Sequence, residues 1–212
     1  MNTSEPASAS AELQRSFGAI DIYLFDQLLR GNFDGRRRVL EAGCGSGRNL
    51  VYFLRSGFDV YACDRDSAAV EAARRLAADL APQLAADHFQ VAGVDALPWP
   101  NASMDAVISS AVLHFATDEE HFDRMFREMW RVLGPGGIFF ARLASSIGIE
   151  SLVRWRAGRT ARLPDGSDRF LVDEAMLLKY ADGLGADLVD PLKTTNVQNL
   201  RAMTTWVLRK RG

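Results

Sequence analysis

The sequence predicts an α/β fold in which a mostly parallel sheet carries helices on both faces. Three observations predict it. Short apolar runs bounded by turn residues alternate with segments of helical period along most of the 212 residues. The first such run passes straight into a glycine-rich turn that opens a helix. The chain is 48% apolar and 25% charged, which is the balance of a chain that buries a core.

The elements follow in order. Residues 1–12 are polar and read as a mobile tail, and residues 13–212 read as a single domain. Leu13, Phe17, Ile20, Leu24 and Leu28 recur at steps of three and four, which predicts one amphipathic helix over 13–28. Residues 36–42 read as a buried strand, 49–56 as a helix stopped by Gly57, and 58–63 as a second strand. Asp66 caps an alanine-rich helix through Leu80. Strands are expected at 89–93 and 104–110. Thr117 and Glu120 have the capping-box spacing, before a helix whose apolar face is Phe122, Met125, Phe126, Met129 and Val132. A sharp turn at 134–137 precedes a strand at 138–143, Asp173 starts a last helix, and 187–190 and 203–208 read as closing strands. The stretch 145–172 shows no period and is long for a plain connection.

Bulk properties exclude several function classes. The net charge of −2 argues against broad phosphate contact, so no nucleic-acid partner is expected. There is no run of 18 apolar residues and no secretory signal, so no membrane association is expected. Cys44 and Cys63 show no metal-ligand spacing and read as buried reduced thiols, which places the protein in the cytoplasm with no bound metal. The oligomeric state leaves no mark in the sequence.

The chemistry is concentrated in Glu41-Ala42-Gly43-Cys44-Gly45-Ser46-Gly47. Alternating glycines after a strand let the backbone turn and approach a ligand, and a helix start behind them offers free N–H groups. The dinucleotide fingerprint asks for a glycine in the sixth position, where this chain has Arg48. Asp64 ends the second strand, roughly 20 residues after the glycines, where a carboxylate accepts from ribose hydroxyls. Asp95 follows the third strand, where an acid or its neighbouring backbone meets an adenine amino group.

These residues, with DVYACDRD (59–66), VDALPWPNASMDAVISS (94–110) and RVLGPGGIFFARL (131–143), resemble the class I S-adenosylmethionine (SAM)-dependent methyltransferases. GRN at 47–49 and the small size resemble the tellurite-resistance-like and type 11 small-molecule branches. The resemblance implies a Rossmann-like doubly wound sheet of about seven strands in three layers, its last hairpin antiparallel. It implies SAM as cofactor and a small-molecule methyl acceptor. It places Glu41 at the methionine ammonium, Gly43, Gly45 and Gly47 along methionine and ribose, Asp64 on the ribose and Arg65 near the adenine. Asp95 and Ala96 would flank the adenine, and Ser110 and Ala111 would lie under the methionine and sulfonium.

His114, just past the fourth strand, is the candidate general base, with a structural role at the next helix as the alternative. His88 and His121 read as solvated. Trp99 and Trp155 read as pocket walls or as packing. Arg154, Arg156, Arg159, Arg162 and Arg169 give 145–172 an arginine excess. That segment is expected to form part of the acceptor site, as a lid, or else to be a surface excursion. Two other functions stay open: an NAD(P)-dependent oxidoreductase and a SAM-binding regulatory domain without catalysis.

Overall fold

Parallel pairing needs a crossover between partners, and here helices supply most of the crossovers. The computed structural model describes residues 8–212. Residues 1–7 of the expected tail lie outside the described residues. Ser8 accepts from the Ala11 amide and caps α1 (Ala9–Phe17), so residues 9–12 are helical where a tail was expected. The single helix expected over 13–28 is two. Gly18 ends α1 at φ +64°, and Asp21 opens α2 (Ile22–Leu29) by accepting from the Tyr23 amide.

The chain continues through β1 (Arg38–Ala42), α3 (Val51–Arg55), β2 (Asp59–Asp64), α4 (Ser67–Leu80), β3 (Phe89–Val91), β4 (Met104–Ser110), α5 (Glu119–Val132) and β5 (Leu133–Ser145). Asp66 caps α4 as expected. The cap of α5 lies one residue later than the capping-box spacing suggests. Asp118 accepts from the His121 amide, and the Thr117 hydroxyl turns aside to Asp118. Residues 134–137 are taken into β5, opposite a register shift between Met104 and Ala106.

The main sheet has eight strands in the order β10-β11-β5-β4-β1-β2-β3, with β9 (Ala186–Leu188) beside β11. The five strands from β5 to β3 run parallel, and β11 (Arg201–Lys210) is antiparallel to β5, β10 (Lys193–Val197) and β9. This matches the expected doubly wound sheet, with β10 as the strand the sequence did not show. Alternation along the strands sorts the core into two layers. Val39, Ala106, Ile108 and Phe140 face α3 and α4, whereas Leu40, Val107, Phe139 and Trp206 face α5 and α6 (Glu174–Gly183).

Residues 145–172 are not irregular. They contain β6 (Arg154–Ala157), β7 (Thr160–Arg162) and β8 (Asp168–Phe170), a small antiparallel sheet. Asp168 holds it together across strands, meeting Arg162 at 2.9 Å and Arg156 at 3.0 Å. Strand order reverses between β1 and β4, so the carboxyl ends of these two strands flank the crevice where doubly wound sheets bind ligands.

Candidate functional site

At the end of β1 the chain doubles back with two amides, Gly43 N–H and Cys44 N–H, donating to the Cys63 carbonyl of β2. Gly43 sits at φ +81°, and a Cβ there would lie 2.5 Å from Cγ2 of Val112. Gly45, at φ +51°, would point a Cβ into open space, which marks the face a ligand can approach. Gly47 serves another purpose: its missing Cβ would press on Leu76 and Leu50, so it lets α3 and α4 pack.

Asp64 closes the loop. Its carboxylate accepts from Gly45 N–H at 2.9 Å and from Asp66 N–H at 3.0 Å, so the acid is aimed across the glycine turn and keeps lone pairs for a further donor. Asp64, Arg65, Gly43, Gly45, Asp95 and Ala111 line one cleft of about 280 Å³. Seven further wall residues escaped sequence reasoning: Ala92, Gly93 and Val94 beside Asp95, and Val112, Phe115, His121 and Met125 later in the chain. Met125 looked like core because it lies on the apolar stripe of α5. His121 looked solvated, but its Nδ1 accepts from Thr117 N–H and its Nε2 lies 3.7 Å from Asp95. Ala96 is in the turn beside Asp95 and does not line the cleft.

Glu41 and Ser110 lie behind the cleft wall in a buried polar network. Asn49 donates to Glu41 Oε1 and accepts from the Asp21 amide, which explains why α3 starts at Val51 and not at residue 49. The Asp21 carboxylate takes the Ser110 hydroxyl at 3.2 Å, Arg142 at 3.3 Å and Arg48 at 3.5 Å. Glu41 Oε2 is buried and, among the described residues, has no partner. Burial raises the Glu41 carboxyl from its ordinary 4.5 to about 8, against the lowering pull of Asn49 and Arg48. An orphaned buried acceptor under a glycine cradle, with Asp64 at its rim, fits a ligand that brings both an ammonium group and ribose hydroxyls.

Beyond Ala111 is a second cavity of about 230 Å³, lined by His114, Arg142, Leu163, Arg169, Arg201 and Met203 among others. Ala111 borders both spaces and holds φ +63°, a strained conformation for a residue with a Cβ.

His114 reaches this cavity, in surroundings that suit its structural alternative. It is 6% exposed, and its Nδ1 accepts from Ala144 N–H at 3.2 Å. An amide only donates, so the neutral ring carries its proton on Nε2 and the Nδ1 lone pair is taken. Burial first, then Arg169, Arg142 and Arg201, push its pKa down from 6.5 to about 4. The side chain instead ties the turn after β4 to β5, which is the structural alternative in a different place. The depressed pKa contributes stability that is present above about pH 6.5 and lost as pH falls toward 4. We expect His114→Gln to lose about 2 kcal/mol less than the native chain between pH 7 and pH 5. Denaturant titrations at the two pH values measure this, and equal losses would show that the ring is not held neutral.

Of the five arginines in 145–172, only Arg169 faces this cavity. Arg156 and Arg162 pair with Asp168, and Arg159 with Asp173 and Glu119. Trp155 is half exposed on the outer face beside Arg154, away from both spaces, and Trp99 packs edge-on against Tyr61. Both thiols are buried, and desolvation pushes Cys63 up to about 12 and Cys44 higher still, so neither is a nucleophile at neutral pH. A larger concavity of about 600 Å³ lies by Arg36 and Arg37 at the opposite ends of the strands, where none of the expected site residues falls.

A family model described as a methyltransferase domain matches residues 40–141. A malonyl-[acyl-carrier protein] O-methyltransferase of Pseudescherichia vulneris is 30% identical over 173 residues, 80% of this chain and 64% of its own length. The chain spans 44% to 64% of the length of the first curated relatives it matches. In fold it is similar to the PH0226 protein of Pyrococcus horikoshii OT3, with a TM-score of 0.67 and 18% identity over 94% of this chain and 99% of that one. It is similar also to 1,6-didemethyltoxoflavin-N1-methyltransferase of Burkholderia thailandensis, solved with S-adenosylhomocysteine bound. There the TM-score is 0.64 at 18% identity, over 99% of this chain and 94% of that one.

Proposed function

We propose that the chain is a class I SAM-dependent methyltransferase, with SAM as its cofactor, and that it transfers the SAM methyl group to a small-molecule acceptor. The observation that carries the reading is the Asp64 carboxylate held against Gly45 at the rim of the cleft. Asp64 receives the ribose hydroxyls, Arg65 and Asp95 border the adenine, and Gly43 and Gly45 let the backbone approach. Glu41 faces the ammonium through its free oxygen, and Ser110 steadies Arg48 and Asp21 behind the methionine. The reading takes residues 13–212 as one catalytic domain.

When bound, the cofactor supplies a methyl group on a sulfonium, a leaving group that needs no further activation. What remains for the protein is to position the reactants and exclude water. Ala111 and Phe115 border the cleft on the side of the second cavity, so an acceptor seated there meets the cofactor beside Ala111. His114 holds that boundary in place and removes no proton. The relative of Pseudescherichia vulneris is named for a malonyl acceptor on a carrier protein and the Burkholderia neighbour for 1,6-didemethyltoxoflavin. The different acceptors in these two names support a reading in which acceptor choice lies outside the glycine loop.

Among the described residues no helix is long and apolar enough to cross a membrane, and no group of metal-ligating side chains occurs. Two buried free thiols support a reducing, cytoplasmic setting.

Asp64→Ala tests the reading. Calorimetry is expected to show S-adenosylhomocysteine binding weaker by about 1–3 kcal/mol in a folded variant, the cost of losing hydrogen bonds to a charged acceptor. NADH is expected not to bind the native chain, since Arg48 stands where the dinucleotide loop has its last glycine. Tight NADH binding with no S-adenosylhomocysteine binding would replace this function by an oxidoreductase.

A further inference from the structure

The second cavity carries more positive charge than its surroundings need. Arg142, Arg169 and Arg201 line it, each on a different strand: β5, β8 and β11. Asp165 is the one carboxylate among the lining residues. It meets Arg201 at 3.3 Å, while its other oxygen is taken by the amide and hydroxyl of Ser167. Asp21 reaches Arg142 from behind, through one Nη1 contact at 3.3 Å, and the buried Arg142 Nε has no partner among the described residues. Arg169 has, among the described residues, no carboxylate within 4.0 Å; its guanidinium lies 4.9 Å over the Phe115 ring. Three guanidiniums converging on one space against a single lining acid make an anion-binding field. His114, whose proton affinity falls in response to all three, senses that field from inside the cavity.

The rest of the lining is apolar. Ala144, Leu163 and Met203 line it too, and Ala111 opens it to the cofactor cleft. We propose that the methyl acceptor is a small carboxylic acid, its carboxylate bound by Arg169, Arg201 and Arg142 and its apolar body laid against Leu163 and Met203. This rests on the methyltransferase reading of the adjoining cleft. Planar guanidiniums match a carboxylate in two-pronged fashion, and neutral isosteres of the same shape lose that match.

The test uses the full chain with S-adenosylhomocysteine and two probe pairs: benzoate against benzamide, and octanoate against octanamide. Calorimetry is expected to show each acid binding at least about tenfold tighter than its amide, the difference between a charged and a neutral partner for guanidinium. Arg201→Gln and Arg169→Gln change partly exposed side chains, so the fold is expected to survive. In both variants the preference should fall several-fold while S-adenosylhomocysteine affinity stays unchanged. If acids and amides bind alike, or the preference persists in both variants, the cavity does not read a carboxylate and the proposal is wrong. If S-adenosylhomocysteine itself fails to bind the native chain, the methyltransferase reading falls and takes the proposal with it.

Discussion

Gly43→Ala is expected to abolish S-adenosylhomocysteine binding and to cost about 2–4 kcal/mol of stability. Two effects add. At φ +81° an alanine pays the left-handed penalty of roughly 1–2 kcal/mol. Its Cβ would also sit 2.5 Å from Val112, a side chain that lines the cleft and cannot retreat without closing it or moving Ala111. The strain is therefore relieved into the binding space. Gly45→Ala is the control, with positive φ but open space at the Cβ. It should fold with a smaller loss and still block the ligand. Denaturation midpoints and calorimetry on both variants check the pair, and normal binding by Gly43→Ala would remove the turn from the site.

Glu41→Gln should move stability and binding in opposite directions. The folded carboxyl is held near 8 by burial, against 4.5 when unfolded. A raised pKa contributes stability that is full below about 4.5 and lost as pH rises toward 8, so at pH 8 the unliganded chain bears the cost of a buried acid. Removing the ionisable group is expected to stabilise the unliganded chain by about 1–3 kcal/mol at pH 8 and to change little at pH 4.5. The same variant should bind S-adenosylhomocysteine more weakly by about 1–3 kcal/mol, because the ammonium loses its anion. Native binding at pH 7 should release a proton, which calorimetry in buffers of different ionisation enthalpy detects. No proton release, with unchanged affinity in the variant, would make Glu41 a structural acid only.

What the sequence revealed was local. The glycine turn, the acid two residues ahead of it, Asp64 at a strand end and the Asp66 cap are all set by neighbours in the chain, and each stands where expected. What it hid depends on partners far away. β10 is a polar run, Lys-Thr-Thr-Asn-Val, and is a strand only because β11 pairs with it. The helical period from Leu13 to Leu28 ran unbroken through Gly18, whose tight approach to Val51 cannot be seen along the chain. Pairing of β11 with β5 brings Arg201 to the strand end near Arg142, and Arg169 arrives from the separate small sheet, so of the arginines that gave 145–172 its visible excess only Arg169 reaches the cavity.

The insert carrying β6 to β8 leaves and rejoins the main sheet at one place. Ser145 and Val172 form a parallel bridge, and the Ser146 and Val172 amides each donate across the junction. Such a junction behaves like a socket: the backbone geometry at the rim is closed on itself, whatever the length or composition of the segment plugged into it. The glycine turn, Asp64 and Glu41 all lie earlier in the chain, on other strands. On the proposal that the second cavity seats the acceptor, exchanging the segment that contributes Leu163 and Arg169 would work as a change of cartridge, altering what that cavity holds while the glycine turn, Asp64 and Glu41 stay as they are.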